Sequence, residues 1–327
     1  MQTMRLIHVG LGNFGMGWVR LMHSLPEVEF LAAVDTNEGS FAQMQEFGVA
    51  CYTGLEDAIA AVGKPDFVIN ATSPAGHLPV NKVAFAHNIP VLMEKPISED
   101  FAQVQAMVEY ARQGQKLMIA ENYRYCMANI FVREQLQSRL RNISSVNLIY
   151  RQHHHMPDTN YHTHMQQPVM IDIGVHLVDL LRFFTGLEVQ KVYAQASRPQ
   201  WSWYKGLSNA KILGEMDGGV QLCYDTSMDS FAKTSWFGNW TFTAENGVAK
   251  YEYGRLTFNF GDGDEVVEIP PDEKGADKQR VFEEFKAFVK DGTVPQTDIF
   301  DQANNAAVIE AAIQSAESGL AVKVPLL

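Results

Sequence analysis

The chain has 327 residues, 46% of them hydrophobic and 20% charged, which is a composition typical of a globular enzyme with two domains. A formal net charge of −12 without any basic block excludes the class of proteins that bind a nucleic-acid backbone. No apolar run reaches the roughly 18 residues of a membrane span. The start of the sequence lacks secretory-signal features and the three cysteines are widely spread, so we expect a reduced, cytoplasmic protein.

A glycine-rich loop follows the first predicted strand, residues 5–9, and an amphipathic helix pattern follows the loop. Gly10 permits a tight turn, Gly12 lets a pyrophosphate approach the backbone, and Gly15 allows close packing of the helix. A second strand ends at Asp35, at the distance expected of a ribose-binding carboxylate. Because no arginine follows Asp35 to receive a 2′-phosphate, the sequence favours NAD over NADP.

Strands and helices continue to alternate, which predicts an α/β, doubly wound parallel sheet (a Rossmann domain) over residues 1–123. Ser98 is predicted to cap a helix that closes near Gly114. Ligands bind at the carboxyl ends of the strands in such sheets, and five strand ends carry candidate residues. The predicted cofactor-binding residues are Gly10, Gly12, Asn13, Phe14, Gly15, Asp35, Thr72, Ser73, Pro74, His77, Glu94, Lys95 and Asn122.

The pattern of predicted strands and helices changes after residue 123, and residues 124–327 predict an α+β domain for substrate binding and oligomerisation. Residues 189–269 alternate in polarity around turn signals such as Asn246-Gly247, which predicts a large, mainly antiparallel, open-faced sheet. An uncovered sheet face of that size is commonly buried against another protein chain, so we expect a homodimer or homotetramer formed through it. The last helix, 298–318, is a candidate to pack back on the first domain.

An apolar helix in the second domain is crossed by one polar stripe. Asp172, His176 and Asp179 fall at i, i+4 and i+7, on one helical face. A buried carboxylate and imidazole are costly unless they are paired, and together they are suited to moving protons. By itself the Asp172–His176 pair is either structural or catalytic, whereas Asp179 with Arg182 indicates a structural ion pair.

Six of the ten histidines lie between positions 153 and 176. Zinc is one interpretation of such a cluster. However, in a strand His153 and His155 point away from His154, and no HExxH spacing occurs, so we predict no metal. Instead, some of these histidines are expected to bind substrate hydroxyls. The predicted substrate-binding residues are Arg124, His153, His155, Tyr161 and Trp236.

Three motifs together resemble the Gfo/Idh/MocA oxidoreductase family, and the resemblance covers nearly the whole chain. They are the Gly10–Gly15 loop, Glu94-Lys95-Pro96 after a strand, and Asp172-x-Gly-x-His176. The resemblance implies NAD(P)-dependent hydride transfer between nicotinamide and a hydroxyl or carbonyl carbon of a sugar, a polyol or a similar small molecule. It makes Lys95, Asp172 and His176 the catalytic residues, and in relatives the peptide before the proline is often cis.

For the chemistry, His176 is interpreted as the general base and Lys95 as the cation that stabilises the alkoxide. Lys95 as proton acceptor remains the alternative. Asp172 would hold the His176 tautomer or bind a hydroxyl. Two departures from the family are Trp18, where relatives often have His and which we interpret as packing alone, and residues 166–169, which replace a glycine-rich segment. The second departure leaves the substrate open.

Two other functions fit the same resemblance. Some relatives are NAD-dependent glycoside hydrolases, which oxidise the sugar transiently and produce no net NADH. Others are cofactor- or metabolite-sensing regulators, which do not need proton-transfer groups. The intact set of Lys95, Asp172 and His176 disfavours a regulator.

Overall fold

A computed structural model describes residues 3–327 of the chain. They form two compact units. The first contains the residues up to Asn122 together with Lys278–Ala303, and the second contains Tyr123–Asp277 and Asn304–Leu327. The sequence suggested a boundary at residue 123 and a last helix, 298–318, that packs back on the first domain, whereas the segment that returns to the first unit is 278–303. Helical periodicity does not reveal this return, because it marks an apolar face without saying which sheet covers it.

The first unit is built on a parallel sheet. Its strands are β1 Met4–Val9, β2 Val28–Val34, β3 Ala50–Tyr52, β4 Phe67–Asn70, β5 Val91–Met93 and β6 Leu117–Ile119. The helices between them are α1 Asn13–Ser24, α2 Leu55–Val62, α3 Pro74–Ala86 and α4 Phe101–Arg112, and a 3₁₀ segment covers Glu38–Phe47. The strand order β3-β2-β1-β4-β5-β6 confirms the predicted Rossmann sheet.

The second unit contains a larger sheet. Its strands are β7 Ile143–Arg151, β8 Val189–Ser197, β9 Asn209–Met216, β10 Gln221–Ser227, β11 Asn239–Ala244, β12 Gly247–Glu252, β13 Arg255–Asn259, β14 Asp264–Val267 and β15 Val322–Lys323. The order is β14-β13-β12-β11-β7-β10-β9-β8-β15. Only β7 and β10 pair in parallel, so the predicted mainly antiparallel sheet is confirmed.

Four further helices complete the chain: α5 Met127–Arg139, α6 Val175–Thr185, α7 Ala276–Asp291 and α8 Ile299–Ser318. In the second unit α6 covers one face of the sheet, where the Phe184 ring contacts Trp240 and Tyr251. In the first unit Phe67 of β4 lies 5.7 Å from the ring of Phe282 on α7. The side chain of Phe282 on α7 therefore belongs to the core of the Rossmann unit.

One predicted helix cap is wrong by two residues. The side chain of Asp100, not Ser98, caps α4 by accepting a hydrogen bond from the Ala102 amide. Ser98 instead accepts the Asp100 amide through its Oγ, 3.1 Å away. Both residue types are good caps, so composition alone does not choose between neighbouring candidates.

Candidate active site

The glycine loop after β1 has the shape that a dinucleotide phosphate requires. A Cβ on Gly10 would lie 2.5 Å from the Ala71 carbonyl, and one on Gly15 would lie 1.9 Å from the Gly10 oxygen. Gly12 faces open space instead, with nothing within 4 Å of its Cβ position. The first turn of α1 carries no acidic side chain, so its free N–H groups and its dipole favour an anion. The loop therefore fits a pyrophosphate.

Asp35 joins this loop to the end of β2. Its Oδ2 accepts the Leu11 amide at 2.7 Å and its Oδ1 accepts the Asn37 amide at 2.8 Å. Each carboxylate oxygen keeps a further lone pair for a ribose hydroxyl. The negative charge also disfavours a 2′-phosphate, which supports the preference for NAD.

The end of β4 is held by an amide network that the sequence did not reveal. Asn70 is fully buried; its Oδ1 accepts the Thr72 hydroxyl at 2.7 Å and its Nδ2 donates to Asn81. His77 is also fully buried, with its two ring nitrogens 3.1 Å from the carbonyls of Thr72 and Ile97. Burial lowers the pKa of His77. The predicted cofactor contact of His77 is therefore corrected, since it shapes the loop from inside.

Glu94 shows that the interpretation of Trp18 as packing alone was incomplete. The fully buried Trp18 donates its indole N–H to Glu94 Oε1 at 2.7 Å. The second oxygen of Glu94 accepts the Lys95 amide at 3.3 Å. Trp18 thus orients the carboxylate that precedes the lysine of the motif. The signal was present in the sequence, because a buried tryptophan needs an acceptor for its N–H.

Two ammonium groups lie near the exposed ring of Phe14 on the first turn of α1. The Nζ atoms of Lys95 and Lys278 are 5.9 and 6.0 Å from the ring centroid. Lys278 also lies 5.2 Å from the centroid of Trp18. The Lys95-Pro96 peptide is cis, as the family resemblance implied. Lys278 was missed because it is remote in sequence and belongs to no motif.

Within the second unit, the helix that carries the Asp172-x-Gly-x-His176 motif, called the motif helix below, begins irregularly. Residues Val169–Gly174 form a π-helical turn that runs into α6, so the prediction of one regular α-helix is wrong at its first turn. Such turns frequently occur at functional sites. Gly174 of the motif permits close packing, because a Cβ there would lie 3.1 Å from Ile309 of α8. Asp172, His176 and Asp179 are all buried, as expected.

Asp172 lies beside a histidine from the preceding loop. Its Oδ1 is 3.5 Å from Nε2 of His162, and both side chains are more than nine-tenths buried. His162 belongs to a 3₁₀ turn, Tyr161–His164, which Asn160 caps. The exposed ring of Tyr161 packs on His162 at 3.9 Å. His162 lay in the predicted histidine cluster but was not selected, because a loop has no periodicity from which to read its direction.

His176 contacts an aromatic neighbour. Its ring stacks on Tyr123 at 4.1 Å with an interplanar angle of 12°, and Phe237 closes against the edge of Tyr123. The imidazole plane is therefore fixed by packing, which suits a group that must exchange a proton in one direction. Tyr123 was not among the predicted residues.

Asp179 is part of the scaffold, as predicted, but with a different main partner. Both of its carboxylate oxygens lie 2.7 Å from guanidinium nitrogens of Arg124. Arg182 is 3.9 Å away and instead pairs with Glu188 at 2.7 Å. Arg124 is only 5% exposed. Arg124 therefore has a structural role in holding Asp179, and its predicted contact with substrate stays a prediction.

The remaining predicted substrate residues lie in an aromatic group around the end of β7. His153 stacks on the exposed ring of Phe231 at 4.1 Å, and both His153 and His155 meet the edge of Trp203 at 4.8 Å. Trp236, half exposed, meets His154 at 5.4 Å. No group of three or more His, Cys, Asp or Glu side chains is arranged to hold a metal ion within residues 3–327.

Burial controls the titration of the groups around Asp172. Burial raises the pKa of Tyr150 and that of Tyr204, and the negative charge of Asp172 raises both further. Burial lowers the pKa of His154, and Asp172 partly opposes this effect. The tyrosines therefore stay neutral around Asp172.

Comparison with known families identifies both units. Residues 4–122 match the model of an oxidoreductase family with an NAD-binding Rossmann fold, and residues 132–249 match the GFO/IDH/MocA C-terminal domain. The chain belongs to the Gfo/Idh/MocA oxidoreductase family. This Gfo/Idh/MocA protein is accordingly an NAD-dependent oxidoreductase, as the loop and Asp35 predicted.

Individual relatives of this Gfo/Idh/MocA chain are distant. A D-apiose dehydrogenase from Paraburkholderia graminis is 24% identical, over 98% of this chain and 89% of the relative. An inositol 2-dehydrogenase from Pseudarthrobacter chlorophenolicus is 27% identical over 67% of this chain and 65% of the relative. The fold matches an oxidoreductase from Agrobacterium radiobacter, crystallised with NAD+, L-tartaric acid and magnesium, with a TM-score of 0.88, 20% identity and 99% coverage of both chains. Over residues 3–327, none of the helices has the length and apolarity to cross a membrane.

Proposed function

We propose that the protein is a dehydrogenase or reductase that acts on a CH–OH carbon of a sugar, a polyol or a similar hydroxylated molecule, with NAD as cofactor. The observation that carries the proposal is a glycine loop that fits a dinucleotide, in a chain that retains Lys95, Asp172 and His176. The names of the relatives, inositol 2-dehydrogenase and D-apiose dehydrogenase, support the substrate class.

In the proposed mechanism, bound NAD supplies the hydride acceptor, and the protein manages position and charge. The first turn of α1 would hold the pyrophosphate and Asp35 the adenosine ribose. The Lys95 ammonium would stabilise negative charge on the reacting oxygen. His176, its plane fixed by Tyr123, would take the hydroxyl proton during oxidation and return it during reduction.

The test is a panel of polyols and sugars assayed with NAD and NADP at the reduced-nicotinamide absorbance. We expect one substrate class to reduce NAD, and Lys95→Ala and His176→Ala to lower kcat by about a hundredfold or more. The matched controls are Lys64→Ala and His164→Ala, which remove the same side-chain types from exposed positions. Near-wild-type turnover of the Lys95 and His176 variants would contradict the assignment. Glycoside cleavage without net NADH, or NAD binding without turnover, would contradict the proposed reaction.

We also propose that the protein is a cytoplasmic homo-oligomer that assembles through the exposed face of the larger sheet. Ile149 of β7 and Leu213 of β9 point to that face and are 46% and 55% exposed. Register places them on the same side, because Leu213 pairs with Cys223 and Ile149 with Asp225, two residues further along β10. The cysteines Cys51, Cys126 and Cys223 are all free, which fits a reducing compartment.

A further inference from the structure

The indole of Trp18 lies between a cation and a carboxylate. Its N–H donates to Glu94 Oε1 at 2.7 Å, and the Nζ of Lys278 lies over its ring, 5.2 Å from the centroid. These contacts match the charge distribution of an indole, which is positive at its edge and negative over its faces. Both electrostatic preferences of this fully buried side chain are therefore met by charged groups.

The ammonium of Lys278 reaches this position because α1 leaves room for it. Phe14 and Trp18 lie at i and i+4, on one face of the helix, and both rings are near the ammonium. Position 17 between them is glycine, and a Cβ there would lie 2.9 Å from Lys278 Nζ. A side chain at position 17 would therefore displace the ammonium.

The two charges beside Trp18 do not neutralise each other. Glu94 accepts two hydrogen bonds, one from the Trp18 indole and one from the Lys95 amide at 3.3 Å. Each oxygen of Glu94 thus accepts one hydrogen bond and keeps a further lone pair. Within residues 3–327, Lys278 forms no ion pair with Glu94 or with any other carboxylate. Both charged groups can therefore serve a ligand.

The order of the strands assigns the two charges to different parts of a dinucleotide. Asp35 follows β2, the glycine loop follows β1 and Glu94 follows β5, in the sheet order β2-β1-β4-β5. A dinucleotide crosses the crevice at the carboxyl ends of such strands. With its adenosine ribose at Asp35 and its pyrophosphate at the glycine loop, NAD would place its nicotinamide ribose on the side of β5. Lys278 would then face the phosphates, and Glu94 the hydroxyls of the second ribose.

We propose that Trp18 is a positioning residue that keeps Lys278 and Glu94 apart, so that the cation serves the cofactor phosphates and the carboxylate serves the nicotinamide ribose. A smaller side chain would let the two opposite charges approach each other, and both would be withdrawn from the cofactor. This role rests on the proposed function, because it assumes that NAD binds at the glycine loop. The hydrogen bond between Trp18 and Glu94 does not depend on it.

Proton–nitrogen NMR tests this hydrogen bond without any cofactor. The indole signal of Trp18 is identified by its loss in Trp18→Phe. We expect its N–H to be protected from exchange with water, and its proton to move upfield in Glu94→Gln, because a neutral amide oxygen is a weaker acceptor than a carboxylate. The indole of Trp201, which is 75% exposed, is the control. A Trp18 proton that exchanges as fast as that of Trp201, or that does not respond to Glu94→Gln, would overturn the proposal.

Isothermal titration calorimetry with NAD and with ADP separates the two charges. ADP carries the adenosine and the pyrophosphate but no second ribose, so it can contact Lys278 and not Glu94. Phenylalanine keeps a ring face but has no N–H, and we expect Trp18→Phe to raise the Kd of NAD about tenfold while that of ADP stays unchanged. Unchanged ADP binding also shows that the loop is still folded. Equal changes for NAD and ADP, or no change for either, would overturn the role of Trp18.

Removal of the ring tests the separation of the charges. In Trp18→Leu the ammonium of Lys278 can pair with Glu94, so the Kd of ADP should rise about fivefold. Adding Glu94→Gln to the same leucine background removes the attraction and should restore the ADP affinity. The double variant is thus matched to the single one in its core packing. A double variant that binds ADP no more tightly than Trp18→Leu would show that Trp18 does not keep the charges apart.

The outcomes separate the two proposals. Reduction of NAD by a hydroxylated substrate, combined with NAD and ADP affinities that Trp18→Phe leaves unchanged, would overturn the role of Trp18 and leave the proposed function standing. A wild-type protein that binds neither NAD nor ADP would instead contradict the proposed function, and the NMR measurement would still decide the pairing of Trp18 with Glu94.

Discussion

At the scale of single residues, the glycine loop and the Glu94-Lys95-Pro96 motif both contact residues that belong to no motif. Trp18 orients Glu94 beside Lys95, the lysine proposed to be catalytic, and Lys278 places a second cation near the ring of Phe14. Each of these residues lies far along the sequence from the group it serves. The motif residues were therefore predictable from the sequence, while the pairing of each supporting residue with its motif was not.

Lys278 should contribute to cofactor binding, because its charge lies beside the helix turn that fits a pyrophosphate. We expect Lys278→Met to raise the dissociation constant of NAD about fivefold, as one partly exposed charge contributes on the order of 1 kcal/mol. Isothermal titration calorimetry at low and high salt measures this, and the difference should shrink with salt. Lys64→Met is the control. It removes the same charge at a position just before β4, at the amino end of the strand, whereas the glycine loop follows the carboxyl end of β1. Equal dissociation constants for the two variants would contradict the assignment.

Asp179 should matter for stability more than any surface charge. Asp179→Asn removes the carboxylate charge that lies 2.7 Å from the buried guanidinium of Arg124, and we expect the free energy of unfolding to fall by about 3–5 kcal/mol. Urea denaturation measures the loss. The control is Glu109→Gln, which breaks the exposed pair with Arg112 and should cost at most about 1 kcal/mol. A similar small cost for both variants would show that Asp179 is not a structural anchor.

At the scale of elements, the side chain of His8 links strand β1 to the glycine loop that follows it. This fully buried side chain donates from Nε2 to the Gly10 carbonyl at 2.8 Å, and burial lowers the pKa of His8 to about 4. The nearby charge of Lys278 lowers it further. The strand thus carries a neutral histidine directly beneath the turn that approaches the cofactor.

The shifted pKa of His8 predicts acid sensitivity. The unfolded chain binds a proton here below about pH 6.5, whereas the folded chain does so only near pH 4. Because the unfolded state binds more protons in between, the free energy of unfolding falls as the pH drops through this window, by about 3 kcal/mol in total. His8→Gln should flatten this dependence, measured by urea denaturation between pH 7 and pH 4. His23→Gln, at an exposed position of α1, should leave it unchanged; identical slopes for both variants would count against the account.

The motif helix shows how far an element can be predicted. Asp172 and His176 were expected on one buried polar stripe, and both are buried. The π-helical turn over Val169–Gly174 was not expected, because hydrophobic periodicity does not distinguish one wide turn from a regular helix. The assignment of catalytic roles to these residues remains a proposal that the variants above test.

At the scale of the whole molecule, the order of strands and helices in the Rossmann sheet was predictable because each strand ends in a short loop with a chemical signal. The segment that returns to the first unit was not predictable: the sequence offered helix 298–318, whereas residues 278–303 return. It brings Lys278 to the loop after β1 and Phe282 to the core of β4. Long-range packing of this kind depends on which surfaces fit together, and local periodicity does not encode it.

Oligomerisation is the prediction that belongs to this scale. We expect Leu213→Glu and Ile149→Glu to dissociate the protein, since each places a charge in an apolar patch that a second copy would bury. Size-exclusion chromatography with light scattering measures the mass. Val294→Glu is the control, because Val294 is 68% exposed and lies outside the larger sheet. A wild-type protein that is already monomeric, or variants that keep the wild-type mass, would rule out this interface.

The sequence by itself determined the cofactor loop, Asp35, the three catalytic candidates and the type of each sheet. These features depend on local order: a strand, a turn and a helix in succession, or alternating side chains, each of which has its own physical signature. Only the tertiary structure decided the partners. It paired Asp179 with Arg124, Asp172 with His162, and Glu94 with Trp18. Partner choice depends on distances between residues that are remote in sequence, and these distances exist only once the chain has packed.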